Sequence, residues 1–210
     1  MTRTRLLIAF KAGFALLALA ALIAQLTNGL ENKDFSVINY FSYFTIESNL
    51  FAVVIFAMSA QALALKRRDP ELDSLRGAAT LYMLITGVVY NLFLTGIEVH
   101  TPLPWVNLVL HYIFPVVVLL DWLIDRPTRK FAPRQALLWL IFPLVYAIYT
   151  LVREHFAHWY PYPFIDVMKH GYSTVLLNCL VITLGVIFAA LVVARLPAAI
   201  PSKPPKTHRR

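Results

Sequence analysis

Apolar residues run along this chain in long blocks, separated by short clusters of charge, proline and turn formers. Six blocks come close to or exceed the roughly 20 residues that a helix needs to cross a hydrocarbon layer. They fall at about 6–27, 39–65, 77–97, 104–124, 135–152 and 172–196. The pattern predicts an all-α fold: a polytopic membrane protein with a bundle of six transmembrane helices over residues 1–196, then a basic, Pro-rich tail at 197–210. No stretch remains for a separate soluble domain. The first block has the basic start of a signal peptide and a small-residue triplet at Ala18-Leu19-Ala20. Its apolar run continues to Leu26, long enough to span, so an uncleaved helix is expected.

The second block breaks the apolar pattern. It opens FSYFTIESNLF from Phe41 to Phe51, and a polar atom left without a partner in a bilayer costs roughly 2–7 kcal/mol. At about 100° per residue, Ser42, Thr45, Ser48 and Asn49 share one helix face, with Glu47 and Tyr43 roughly opposite. That leaves no fully lipid-compatible side. The segment reads as the central helix of the bundle, its Thr45 face turned toward a polar pocket. Other spans add Asn91, Asn107, His111, Tyr146 and Asn178. Counted inward from the span ends at about 1.5 Å per residue, Thr45 and His111 lie level, roughly 9–11 Å deep, and the others fall at a similar depth. The remaining halves of the spans are nearly all apolar. A conducting channel needs polarity along its whole length, so the pattern fits a pocket instead.

Charge supplies the orientation. Lys and Arg number 19 against 11 Asp and Glu, a formal net charge of +8. The basic residues collect at alternate loops: Arg3, Arg5 and Lys11 at the start; Lys66, Arg67, Arg68 and Arg76 between spans two and three; Arg126, Arg129, Lys130 and Arg134 between four and five; Arg195 and the tail at the end. The other three loops hold only Lys33, Arg153 and Lys169. The positive-inside rule therefore puts both termini in the cytoplasm and the polar layer in the outer half of the membrane. A distribution of this kind argues against nucleic acid as a partner.

His111 is the only histidine well inside a predicted span, and an intramembrane ionisable group is a functional candidate by default. A hydroxyl and an imidazole on neighbouring helices are the minimum for nucleophilic catalysis, because a neutral alcohol needs a base within hydrogen-bond reach. Thr45 and His111 are thus the candidate catalytic pair. Asn107, one turn from His111, is placed to orient the ring, and Ser48 or Asn49 to donate toward an oxyanion. Asn91, Tyr146 and Asn178 complete the polar lining, with structural interhelix bonding as the plainer role for the two asparagines. Glu47 reads as an ion-pair partner of Arg153 or Lys169. His155 and His158 have a metal-compatible spacing but no acidic or thiol ligands beside them, and the single Cys179 permits no internal disulfide. No metal or other cofactor is expected. The alternative to an enzyme is a non-enzymatic lipid or small-solute binder or transporter, using the same polar layer as its site.

The motifs FSYFT with Thr45, N-x-x-x-H at Asn107 and His111 followed by Pro115, and WYPYPF at Trp159–Phe164 resemble the androgen-induced and androgen-dependent transmembrane proteins of animals. The resemblance covers most of the chain and is closer still to bacterial six-span membrane proteins that share FTxxSN, LHxxxPxxxxDW and YPYPF patterns. It implies an intramembrane threonine hydrolase acting on fatty acid esters of hydroxy fatty acids, with Thr45 and His111 at the essential positions. Membrane lipids would be its partners, and a bacterial inner membrane its location. The interval from His111 to Pro115 is one residue shorter than in the animal proteins, so the resemblance does not carry over the geometry of the helix that follows.

Overall fold

The computed structural model describes residues 2–67, 69–95 and 103–199, and every regular element among them is helical. Helix α1 (Arg3–Leu30) leads through a short α2 (Val37–Phe41) into α3 (Phe44–Ala64). Helix α4 (Pro70–Val89) continues into a π-helical turn (Tyr90–Leu94). The next rod is composite: α5 (Pro104–Leu108), a second π-helical turn (Val109–Ile113) and α6 (Phe114–Ile124). After α7 (Pro133–Leu138) and α8 (Ile141–Ala157), a 3-10 turn at Pro163–Ile165 precedes α9 (Val167–Ala199). Gly171, at φ 74°, bends α9 near its start in a conformation that side chains disfavour. Six helical segments are long and apolar enough to cross a membrane: Arg3–Leu30, Phe44–Ala64, Pro70–Leu94, Pro104–Ile124, Pro133–Ala157 and Val167–Pro197. Of the basic tail expected at 197–210, the residues from 200 onward lie outside the described ones.

The second span starts at Phe44 and not near residue 39. Ser42 causes the delay: its hydroxyl donates to the Ile38 carbonyl at 2.7 Å and lies 2.8 Å from the Tyr149 hydroxyl, while Tyr43 turns extended as the N-cap of α3. Ser42 therefore does not share a helix with Thr45, and Thr45 sits in the first turn of α3, shallower than the span count implies.

Helices α3 and α4 are the most enclosed of the six spans. Ala15, Ala18 and Ala21 let α1 approach α3 closely, as small residues do between apolar helices. Helix α4 packs on α6 and α9, and Trp122 of α6 donates its indole N–H to the Val193 carbonyl of α9 at 2.8 Å. Leu144, Ile148, Leu177, Leu184 and Phe188 leave α8 and α9 with broad exposed apolar faces. Helix α3 also has an apolar outward stripe, Leu50, Val54 and Met58, contrary to the expectation that it has none. Ser48 and Asn49 turn inward and are fully buried, which frees that stripe.

Charges counted as flanks in the sequence meet inside the bundle, at the end opposite Thr45. Lys11 is fully buried, with Nζ 2.5 Å from Asp121 Oδ1 and 3.1 Å from Asp125 Oδ2. Arg76 donates to Asp73 and Asp121, each at 2.9 Å, and Asp73 also accepts the Thr128 N–H and O–H at 2.7 and 2.8 Å. Burying ions costs several kcal/mol each, so this cluster persists only because α1, α4 and α6 bring opposite charges into direct contact.

Candidate active site

Proline chemistry shapes the site. In a regular α-helix the Leu110 carbonyl would accept the Phe114 N–H, but Phe114 bonds back to Val109 in the π register. The π-register partner of Leu110 would be the N–H of Pro115, which does not exist. The orphaned Leu110 carbonyl accepts from Asn49 Nδ2 at 3.3 Å, and the same amide donates to the Thr45 carbonyl at 2.8 Å. Across from this turn, the other π segment begins at Tyr90. Gly87 stands where the two helices meet: a Cβ there would be in ordinary contact, at 3.4 Å, with both the His111 carbonyl and the Pro115 ring. Single π turns inside α-helices occur often at functional sites.

His111 is buried between these two helices. Its Nδ1 is 3.3 Å from the Asn107 carbonyl, which can only accept, so Nδ1 carries the proton. That tautomer leaves the Nε2 lone pair facing Thr45 Oγ1 at 3.3 Å. The ring lies on Tyr90, with centroids 4.0 Å apart and planes 25° apart. Asn107 orients the imidazole through its backbone, not its side chain, because its amide donates to the Tyr90 hydroxyl at 2.7 Å.

Thr45 occupies the first turn of a 21-residue helix, where aligned peptide dipoles favour developing negative charge. Two tyrosine hydroxyls meet the free N–H groups there. Tyr146 Oη accepts from Phe44 N at 3.1 Å and donates to the Ser42 carbonyl at 2.9 Å, and Tyr162 Oη accepts from Thr45 N at 3.3 Å. Thr45 opens onto a cavity of about 340 Å³ between α4, α8 and α9. Its walls are mainly apolar, including Ile85, Leu144, Val186 and Ile187, with Thr45, Tyr146 and Tyr162 among the polar exceptions. His111 is not part of the wall; it stands behind Thr45 and Tyr90.

The structure brings Thr45, Asn107, His111 and Tyr146 together and sets other expected members aside. Ser48 lies 2.8 Å from the Thr86 hydroxyl and also donates to the Thr45 carbonyl, while both Asn49 N–H groups serve backbone carbonyls, so neither is available to an oxyanion. Asn91 is exposed and bonds the Gly87 carbonyl of its own helix at 2.8 Å. Asn178 donates to the Phe164 carbonyl at 2.9 Å and fastens the 158–166 segment to α9. Glu47 is half-buried on the outward side and has no ion pair among the described residues. Arg153 instead donates to Asn39 at 2.7 Å and lies over the Trp159 ring, and Lys169 is exposed. Two participants carry no signal of their own in the sequence: Tyr90, adjacent to Asn91, and Tyr162, which lies inside the WYPYPF motif but has no chemical partner near it in the chain. Among the described residues no group of three His, Cys, Asp or Glu side chains is placed to hold a metal ion. Comparison with family models, curated proteins and solved structures gives no match to the chain.

Proposed function

We propose that this chain is a multi-pass membrane hydrolase of fatty-acyl esters, with Thr45 as nucleophile and His111 as base. Both termini would lie in the cytoplasm and the pair near the outer face, by the alternation of basic loops. The resemblance of its motifs to bacterial six-span proteins favours a bacterial inner membrane. The observation that carries the reading is the contact of Thr45 Oγ1 with His111 Nε2, together with the tautomer set by the Asn107 carbonyl.

In this mechanism the Thr45 proton passes to Nε2 as Oγ1 attacks the ester carbonyl, whose π electrons move onto oxygen. Collapse expels the alcohol oxygen, which takes the proton back from Nε2 and leaves an acyl-threonine. Water, deprotonated by the same nitrogen, then releases the fatty acid and restores Thr45. The mainly apolar cavity beside Thr45 suits an acyl chain, and its volume lies within the usual range of small-molecule sites, about 300–1,000 Å³.

The position of His111 behind the cavity wall favours one other reading, a lipid or small-solute binder in which the histidine only supports the wall. A fluorophosphonate probe separates the two. An activated Thr45 takes up the probe covalently and the Thr45→Ala variant does not. If the folded wild type stays unlabelled at Thr45, the binder reading prevails.

A further inference from the structure

Addition of Thr45 to an ester leaves a full negative charge on the former carbonyl oxygen, and in an apolar wall that charge needs a directed donor. The donors suggested by the sequence are committed elsewhere. Asn49 serves two carbonyls, Ser48 serves the Thr45 carbonyl and contacts Thr86, and Tyr146 donates to the Ser42 carbonyl.

Tyr162 differs from all three. It is buried, lines the same cavity as Thr45, and its oxygen is anchored by the Thr45 N–H at 3.3 Å. Its hydroxyl is also within interaction range of the Thr45 and Tyr146 side chains. The ring is held by stacking on Phe164, with centroids 5.4 Å apart and planes 6° apart, and by an edge contact with Tyr43 at 5.9 Å. Asn178 pins this segment to α9 through the Phe164 carbonyl.

We propose, resting on the Thr45–His111 reading, that Tyr162 is a catalytic residue whose hydroxyl donates the hydrogen bond that stabilises the ester oxyanion. The phenol keeps its proton throughout, and only the hydrogen bond shortens as charge develops. The Thr45 N–H polarises the same hydroxyl from behind, which strengthens it as a donor. Burial pushes the Tyr162 hydroxyl up to about 12, so it stays protonated at neutral pH and well above it.

The test uses the purified full-length protein and 4-nitrophenyl octanoate as probe ester. Tyr162→Phe keeps the stacked ring and removes the hydroxyl. Loss of one oxyanion donor is expected to lower kcat about 100-fold or more, with KM little changed and a modest fall in thermal midpoint from the Thr45 N–H left without its acceptor. Replacing Tyr162 by a ring-fluorinated tyrosine preserves shape while making the phenol more acidic. The alkaline limb of the kcat profile should then move to lower pH, a shift that a merely structural ring would not produce. This second variant decides the matter if the phenylalanine variant folds poorly. A wild-type kcat in Tyr162→Phe, or an unmoved alkaline limb in the fluorinated protein, overturns the assignment while leaving the Thr45–His111 pair intact. Absence of any Thr45-dependent hydrolysis in the wild type overturns both.

Discussion

The phenol ring of Tyr90 lies 4.0 Å from the imidazole of His111, nearly parallel to it, while its hydroxyl accepts a hydrogen bond from the Asn107 side chain. The imidazole is therefore held at one edge by the Asn107 carbonyl and on one face by an aromatic plate, and its free nitrogen points at Thr45. Loss of the ring releases the imidazole, whereas loss of the hydroxyl alone does not. Tyr90→Phe should retain most hydrolysis of the probe ester. Tyr90→Ala should lower kcat by roughly 10- to 100-fold, since small misplacements of a reacting group have effects of that size. Equal activity in the two variants would show that the stacking does not position the base.

Thr45→Ala removes the attacking oxygen and His111→Ala removes the base, so each should nearly abolish turnover. Groups acting as one unit are strongly non-additive, and the double variant should be little slower than either single. Thr45→Ser keeps the hydroxyl but loses the methyl that restricts its rotamer, and should retain part of the activity. Near-wild-type hydrolysis by folded Thr45→Ala would move the nucleophile elsewhere.

Asn49 and Pro115 should be coupled in stability, although they lie on different helices. Asn49→Leu leaves the Leu110 carbonyl buried without a partner, at a cost of about 1–3 kcal/mol, visible as a lower thermal midpoint in detergent. Pro115→Ala restores an N–H that can bond that carbonyl. The double variant should then recover part of the loss, and strictly additive midpoints would refute the register argument.

Cysteines introduced at Asn32 and Asp69 report orientation. Applied to intact cells, an impermeant thiol reagent should modify the cysteine at Asn32 and spare the one at Asp69. The opposite pattern would put the Thr45 end of the bundle at the cytoplasmic face.

The six spans were legible because hydropathy over 20 residues is a strong signal, and the Thr45–His111 pair because a lone histidine within a span stands out. The start of α3 was not, since Tyr43 has no capping side chain and the apolar run continues across Ser42 without a break. Pro115 marks in the sequence a helix position without a donor, but the form the structure gives it, a π turn whose spare carbonyl is taken by Asn49, depends on a partner 61 residues away. Tyr90 and Tyr162 looked like ordinary aromatics because their roles come from what they face. Lys11 and Arg76 read as flanking charges in the sequence, because composition cannot tell a charge beside water from one beside its counter-ion.

Lys11 and Asp121 are 110 residues apart along the chain. At synthesis rates of about 5–20 residues per second, the first helix waits roughly 5–20 s for the carboxylate that neutralises its ammonium. During that interval Lys11 lacks the counter-ions beside which it is buried in the finished bundle, and α1 cannot take its final place. The fourth span brings Asp121 and Asp125 together, and their arrival lets α1 and α4 settle at once. Assembly of this bundle thus has a built-in order, in which the first helix is not seated until the fourth arrives.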